Sequence, residues 1–230
     1  MHVGVDGCPA GWIVAQAPDL ETAPRFWVAK SFRDILSEVP KRSLICIDVP
    51  IGLSDRARAC DAEARRMLGP RRACSVFTPP CRAAIAGRDA AGIRDINVRV
   101  TSRSLSAQLL GILPKIREVD AAITPRLQDR VRETHPEVVF AALAGAGLAP
   151  RKQDEDGRRA RLRLLPRAFA RSAPTRDLAP FTRSEVRLDD YVDALACLCV
   201  AARLASGEAR RLPASSVERD ARGLEMAIWY

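Results

Sequence analysis

The chain is poor in histidine, in paired cysteines and in long apolar runs, and each shortage removes a class of function. It has two histidines and seven cysteines. No Cys-x-x-Cys pair occurs, so no zinc cluster suggests itself. Cys74 and Cys81 bracket a proline-bearing loop and could meet, whereas Cys197 and Cys199 lie two apart in a late helix and point away from each other. Buried, reduced thiols are the expectation. The longest apolar stretch, residues 138–149, is interrupted by glycine and falls short of the roughly 20 residues of a membrane span. The N-terminus enters a strand at once and shows no signal-peptide pattern. A cytoplasmic protein with no membrane partner is expected. There is no Gly-x-x-x-x-Gly-Lys loop and no Gly-x-Ser-x-Gly elbow. With aromatics at 5%, Trp12, Phe77 and Trp229 read as core residues rather than base-stacking platforms.

What is present fits one globular domain over residues 1–230, with 47% hydrophobic and 28% charged residues. The net charge of +9 invites a polyanionic partner. Nearly all the cationic residues are arginine, which biased base composition alone can produce, so the charge supports a nucleic-acid reading without making it.

Local patterns place the elements. Val3–Asp6 and Trp12–Ala15 flank the turn residues Gly7, Pro9 and Gly11 and read as a hairpin. Phe26–Ala29 is a third strand. Ser31 and Asp34 resemble a capping arrangement for a helix to about Val39. Leu44–Val49 is apolar without alternation, as in a central strand covered on both faces. Residues 54–130 read as a largely helical insertion, with an Asp61–Arg65 i,i+4 pair, a stop at Gly69-Pro70 and a helix that Pro114 should kink. Val131, Glu133 and His135 alternate as a short last strand before Pro136 opens a helix. The arginine-rich stretch 151–167 reads as surface, and a final helix runs from about Asp189 to Ala205.

Four aspartates carry the chemistry. Asp6 and Asp48 end apolar strands, and Asp190 and Asp193 share a helix face by their i,i+3 spacing. Such carboxylates repel if packed together, and a divalent cation with oxygen ligands removes the repulsion. The pattern points to a phosphoryl-transfer site holding Mg2+ or Mn2+, and first to a nuclease. Aspartates in a first helical turn also simply complement the helix dipole. His135 is a candidate general acid or water-orienting residue, and Glu133 is either a fifth metal ligand or the partner of an arginine. Lys115, Lys152, Arg158 and Arg161 are candidate phosphate contacts.

As a set, these motifs resemble a prokaryotic family, number 429 among the domains of unknown function, described as predicted RNase H-like nucleases. The resemblance rests on Gly4-Val5-Asp6-Gly7-Cys8 with Gly11-Trp12, Asp48-Val49-Pro50-Ile51-Gly52-Leu53, Arg58-x-x-Asp61, Ser75-Val76-Phe77, Lys115-Ile116-x-Glu118, Glu133-x-His135-Pro136-Glu137 and Asp189-Asp190-x-x-Asp193-Ala194. Pro9-Ala10 stands where a basic residue is expected. The resemblance implies an α/β fold of the RNase H-like superfamily. Its mixed five-stranded sheet, in order 3-2-1-4-5, would be flanked by helices, with Asp6, Asp48, Asp190 and Asp193 as the metal ligands.

Three functions follow. The first is a metal-dependent nuclease acting on DNA or RNA. The second is an ATP-binding phosphotransferase of the actin and sugar-kinase type, in which Gly7 to Gly11 would hold phosphates. The third is a nucleic-acid or protein binding module without turnover. A homo-oligomer is compatible with each.

Overall fold

The structure, a computed structural model, describes residues 1–148, 150, 152–170 and 174–230. Its centre is a five-stranded mixed sheet in the order β3-β2-β1-β4-β5, as the sequence patterns and the family resemblance imply. β1 (His2–Cys8) and β2 (Gly11–Ala17) form the antiparallel hairpin, and β3 (Arg25–Ala29) adds antiparallel to β2. After α1 (Phe32–Glu38) the chain returns in β4 (Leu44–Ile47), parallel to β1, with Val5 opposite Ile47. The helix start reads as expected: the Ser31 side chain accepts from Asp34 N–H while the Asp34 carboxylate accepts from Ser31 N–H.

α2 (Ala59–Leu68), α3 (Ala90–Thr101) and α4 (Ala107–Ala122) follow, before β5 (Val131–Glu133) pairs parallel to β4 with Glu133 opposite Ile47. Next come α5 (Pro136–Ala144), α6 (Glu155–Leu164), α7 (Arg167–Ala170), α8 (Pro174–Asp177) and α9 (Leu188–Ala205). A small antiparallel pair, β6 (Arg211–Leu212) and β7 (Ile228–Trp229), closes the chain. No helix among the described residues is long and apolar enough to cross a membrane.

Side chains alternate along a strand, so the sheet has two distinct faces. Val3, Val5, Ile45, Ile47, Trp12 and Val14 pack beneath α1 and α4 in one core. Ile13, Ala15 and Cys46 face the other core, which α9 fills from Tyr191 to Ala201. Gly4 makes that second packing possible. A Cβ at Gly4 would lie 2.1 Å from the Ala194 carbonyl oxygen and 2.2 Å from the Leu198 nitrogen, so the helix backbone rests directly on β1.

Several local expectations change. α4 runs on through Pro114 as one helix. Asp61 faces Arg58 at 3.6 Å, while Arg65 turns to the Val76 carbonyl and the Thr78 hydroxyl. All seven cysteines are free, Cys74 exposed and Cys81 buried. Within the arginine-rich stretch, Arg151 lies outside the described residues, and α6 turns one arginine fully inward.

Candidate metal centre

The register brings the first two acids together. Val5 pairs with Ile47, so Asp6 and Asp48 follow at the same level on neighbouring parallel strands. Both lie on the α9 side of the sheet, because each follows a residue, Val5 or Ile47, whose side chain belongs to the opposite core. Asp48 N–H bonds back to the Val5 carbonyl at 3.0 Å, which holds the two strand ends side by side. α9 crosses β1 at Gly4 and delivers Asp193 from above. One ligand oxygen each from Asp6, Asp48 and Asp193 then lie within 4.8 Å of one another. Asp6 and Asp193 are buried, at 8% and 1% exposure.

Three carboxylates this close cannot all ionise without compensation. Burial, then Asp48 and Asp193, push the Asp6 carboxyl well up. Burial raises Asp48 too, against the pull of His135 and Lys152. Asp193 is pushed up to about 7 by burial, although Lys152 beside it pulls the other way. The Lys152 Nζ lies 2.5 Å from Asp193 Oδ2. Burial works against the Lys152 ammonium, but Asp193, Asp6 and Asp48 outweigh it and hold the group charged. Asp193 Oδ1 is buried and has no hydrogen-bond partner among the described residues. A buried carboxylate oxygen without a donor is costly, and a hard divalent cation is the group that satisfies such oxygens. These residues therefore fit Mg2+ or Mn2+ by donor type, by spacing and by the oxygen left open.

Asp190 lines the same cavity but stands outside the group of three. Its Oδ2 accepts the Arg187 backbone N–H at 3.0 Å, the helix-terminus role that its position also allowed. Burial pushes its carboxyl up to about 6.

Of the two roles expected of Glu133, the partner of an arginine is the one seen, although the residue also lines the same cavity. It pairs with Ile47, so the pleat turns its side chain to the face opposite Asp48. There both of its oxygens lie 2.6 Å from Arg58 Nη2, and Oε2 accepts the Ile51 N–H. Arg161 requires a correction. It is fully buried, forms a two-bond fork with Glu137 and donates to the Pro150 and Gly157 carbonyls, so it is shut away from any phosphate at the surface. Glu137 also accepts from Arg72 at 2.8 Å. Arg158 donates to the Gln153 carbonyl and is absent from the cavity wall.

The cavity itself measures about 490 Å3 and is lined by the three acids together with Lys115, Lys152, His135, Arg72, Arg187 and Phe77. Lys115 reaches it from α4, with Nζ bonded to the Gly11 carbonyl and 4.5 Å from the Trp12 ring centre. Its stem packs on Gly7, where a Cβ would meet Lys115 Cδ at 2.5 Å. His135 Nε2 lies 3.1 Å from the Ser75 carbonyl. The carbonyl only accepts, so Nε2 carries a proton. Nδ1 is buried without a partner among the described residues.

Sequence reasoning passed over Arg72, Arg187 and the pairing of Lys152 with Asp193. One signal was available for the last: only four of the 37 cationic residues are lysine, and Lys115 and Lys152 both line the cavity.

No curated protein and no solved structure shows a significant match to this chain. One family model does match, that of "Protein of unknown function (DUF429)", over residues 4–218. That span runs from the β1 glycine under α9 through every acid of the centre, and the chain belongs to this family.

Proposed function

We propose that this protein is a metal-dependent nuclease, with a fold of the RNase H-like superfamily, that hydrolyses phosphodiesters of DNA or RNA. The observation that carries the reading is the convergence of Asp6, Asp48 and Asp193 within 4.8 Å, with one Asp193 oxygen buried and unpartnered. A Mg2+ or Mn2+ ion held by these three supplies Lewis acidity toward a phosphodiester. The protein's own residues do the rest. Lys115 and Lys152, with Arg72 and Arg187 on the same wall, draw the phosphate backbone to the acids. His135, fixed through Nε2, gives a proton from Nδ1 to the departing oxygen as the P–O bond breaks, while the attacking water gives its own proton to solvent. The net charge of +9 supports a polyanionic substrate.

The ATP-binding alternative is less well supported. The hairpin that would cradle phosphates carries the Lys115 stem against Gly7. A module without turnover has no use for three mutually repelling acids, two of them buried.

The experiment pairs calorimetric titration of Mn2+ with cleavage of labelled single- and double-stranded DNA and RNA. The wild type should bind Mn2+ and cut at least one substrate class, and Asp6→Asn should lose both while keeping its circular dichroism spectrum. Cleavage that survives in Asp6→Asn refutes the reading. Salt-dependent binding without cleavage under either metal would favour the binding module.

A further inference from the structure

We infer that the centre takes a single divalent cation, with the Lys152 ammonium standing in place of a second. This rests on the metal-dependent reading above and narrows it.

Three observations point the same way. Three carboxylates against one ammonium leave two negative charges in a buried site, which one divalent ion balances and two would overshoot. Lys152 and a metal also do not compete for the same atom. Asp193 holds Lys152 through Oδ2, while its Oδ1 is buried and unpartnered among the described residues. One carboxylate can therefore serve both cations at once. Finally, the group whose oxygens lie within 4.8 Å of one another ends at Asp6, Asp48 and Asp193, and Asp190, tied through Oδ2 to the Arg187 N–H, stands outside it.

The choice of residue fits this role. The chain uses arginine almost everywhere, and where it needs a buried fork it uses one, as in Arg161 on Glu137. At the acid cluster it places a compact ammonium, which occupies about the space of an ion and carries a point charge. Lys152 then sits beside the metal with N–H donors left over from Asp193 to meet a substrate phosphate, a role that two-metal sites give to the second ion.

The test uses the full chain and Mn2+. Calorimetry should give one Mn2+ per chain in the wild type, and the saturated protein should show the electron paramagnetic resonance spectrum of isolated Mn2+. Two ions per chain with an exchange-coupled spectrum would overturn the inference and leave the nuclease reading standing. No uptake at all would sink both. Acylation of amines, followed by mass spectrometry, asks whether Lys152 stays in place. It should react more slowly than the exposed Lys30 and Lys41 both with and without Mn2+. Acceleration to their rate on adding Mn2+ would mean that the metal displaces it, and the inference fails. Lys152→Met should bind Mn2+ at least about tenfold more tightly, because a neighbouring positive charge is gone, yet lose about a hundredfold or more in turnover. Unchanged or weaker Mn2+ binding in that variant would count against the inference.

Discussion

Gly4 of β1 lies directly beneath the Ala194 carbonyl of α9, so close that a Cβ on Gly4 would stand 2.1 Å from that oxygen. Asp193 is the residue before Ala194, and Asp6 is two residues beyond Gly4 on the same face of the strand. The missing methyl thus sets the distance between two acids of the centre. Gly4→Ala should force α9 away from the sheet, destabilise the fold by about 1–3 kcal/mol and weaken Mn2+ uptake. Urea unfolding and calorimetry check this, and a variant as stable as the wild type would refute the close-packing argument.

Glu133 should matter for stability and not for metal. It is buried at 6% exposure with both oxygens on Arg58. Glu133→Ala leaves the buried Arg58 guanidinium to its longer ion pair with Asp61 and should lose about 3 kcal/mol. The Mn2+ stoichiometry of the folded variant should stay at the wild-type value. A variant that folds normally and binds no Mn2+ would return Glu133 to the ligand set.

Two arginines three apart on α6 should behave very differently. Arg161 is fully buried on Glu137, and Arg161→Ala should cost about 3–5 kcal/mol. Arg158, whose side chain bonds the nearby Gln153 carbonyl, should change stability by no more than about 0.5 kcal/mol when replaced by alanine. Thermal melts of the two variants settle the comparison, and equal losses would contradict the burial difference.

The acids also set a pH dependence. Asp193 titrates at about 7 and Asp190 at about 6, against an ordinary value of 3.8, and burial with Asp48 and Asp193 raises Asp6 in the same direction. In that window the folded chain holds protons that the unfolded chain has released. Stability from these groups is therefore complete below the unfolded value and is lost as pH rises through the folded values. In the presence of a chelator, Asp6→Asn should gain on the wild type between about pH 5 and about pH 8, because the wild type alone accumulates the repulsion. Melts that run parallel across this range would show that the cluster carries no such strain. Saturating Mn2+ at the upper end should raise the wild-type melting temperature and leave that of Asp6→Asn nearly unchanged.

Much of this arrangement was legible because it is periodic or local. Apolar runs of strand length announced β1, β2 and β4, Ser31 with Asp34 announced α1, and Pro136 and Gly145 bounded α5, whose last residue is followed by Gly145 at a φ of 75°. The family motifs then supplied the strand order, which no local pattern carries. Asp6 and Asp48 could be singled out because each closes an apolar run, and Asp193 because it shares a helix face with Asp190 three residues before it.

What each candidate side chain does was decided only in three dimensions. Whether Glu133 joins Asp48 depends on strand register, since pairing with Ile47 turns it to the other face and a slip of one residue would reverse that. Whether Arg161 meets solvent or Glu137 depends on how α6 docks against α5. Asp190 and Asp193 look equivalent three apart on a helix, but the first lies in the opening turn, where an N–H wants an acceptor, and the second lies where Gly4 lets the helix touch the sheet. Sequence by itself determined which residues could be acids of a centre, because that follows from residue type and periodicity. Tertiary structure alone decided that Lys152 completes the centre, because its contact with Asp193 spans 41 residues and no local rule links positions that far apart.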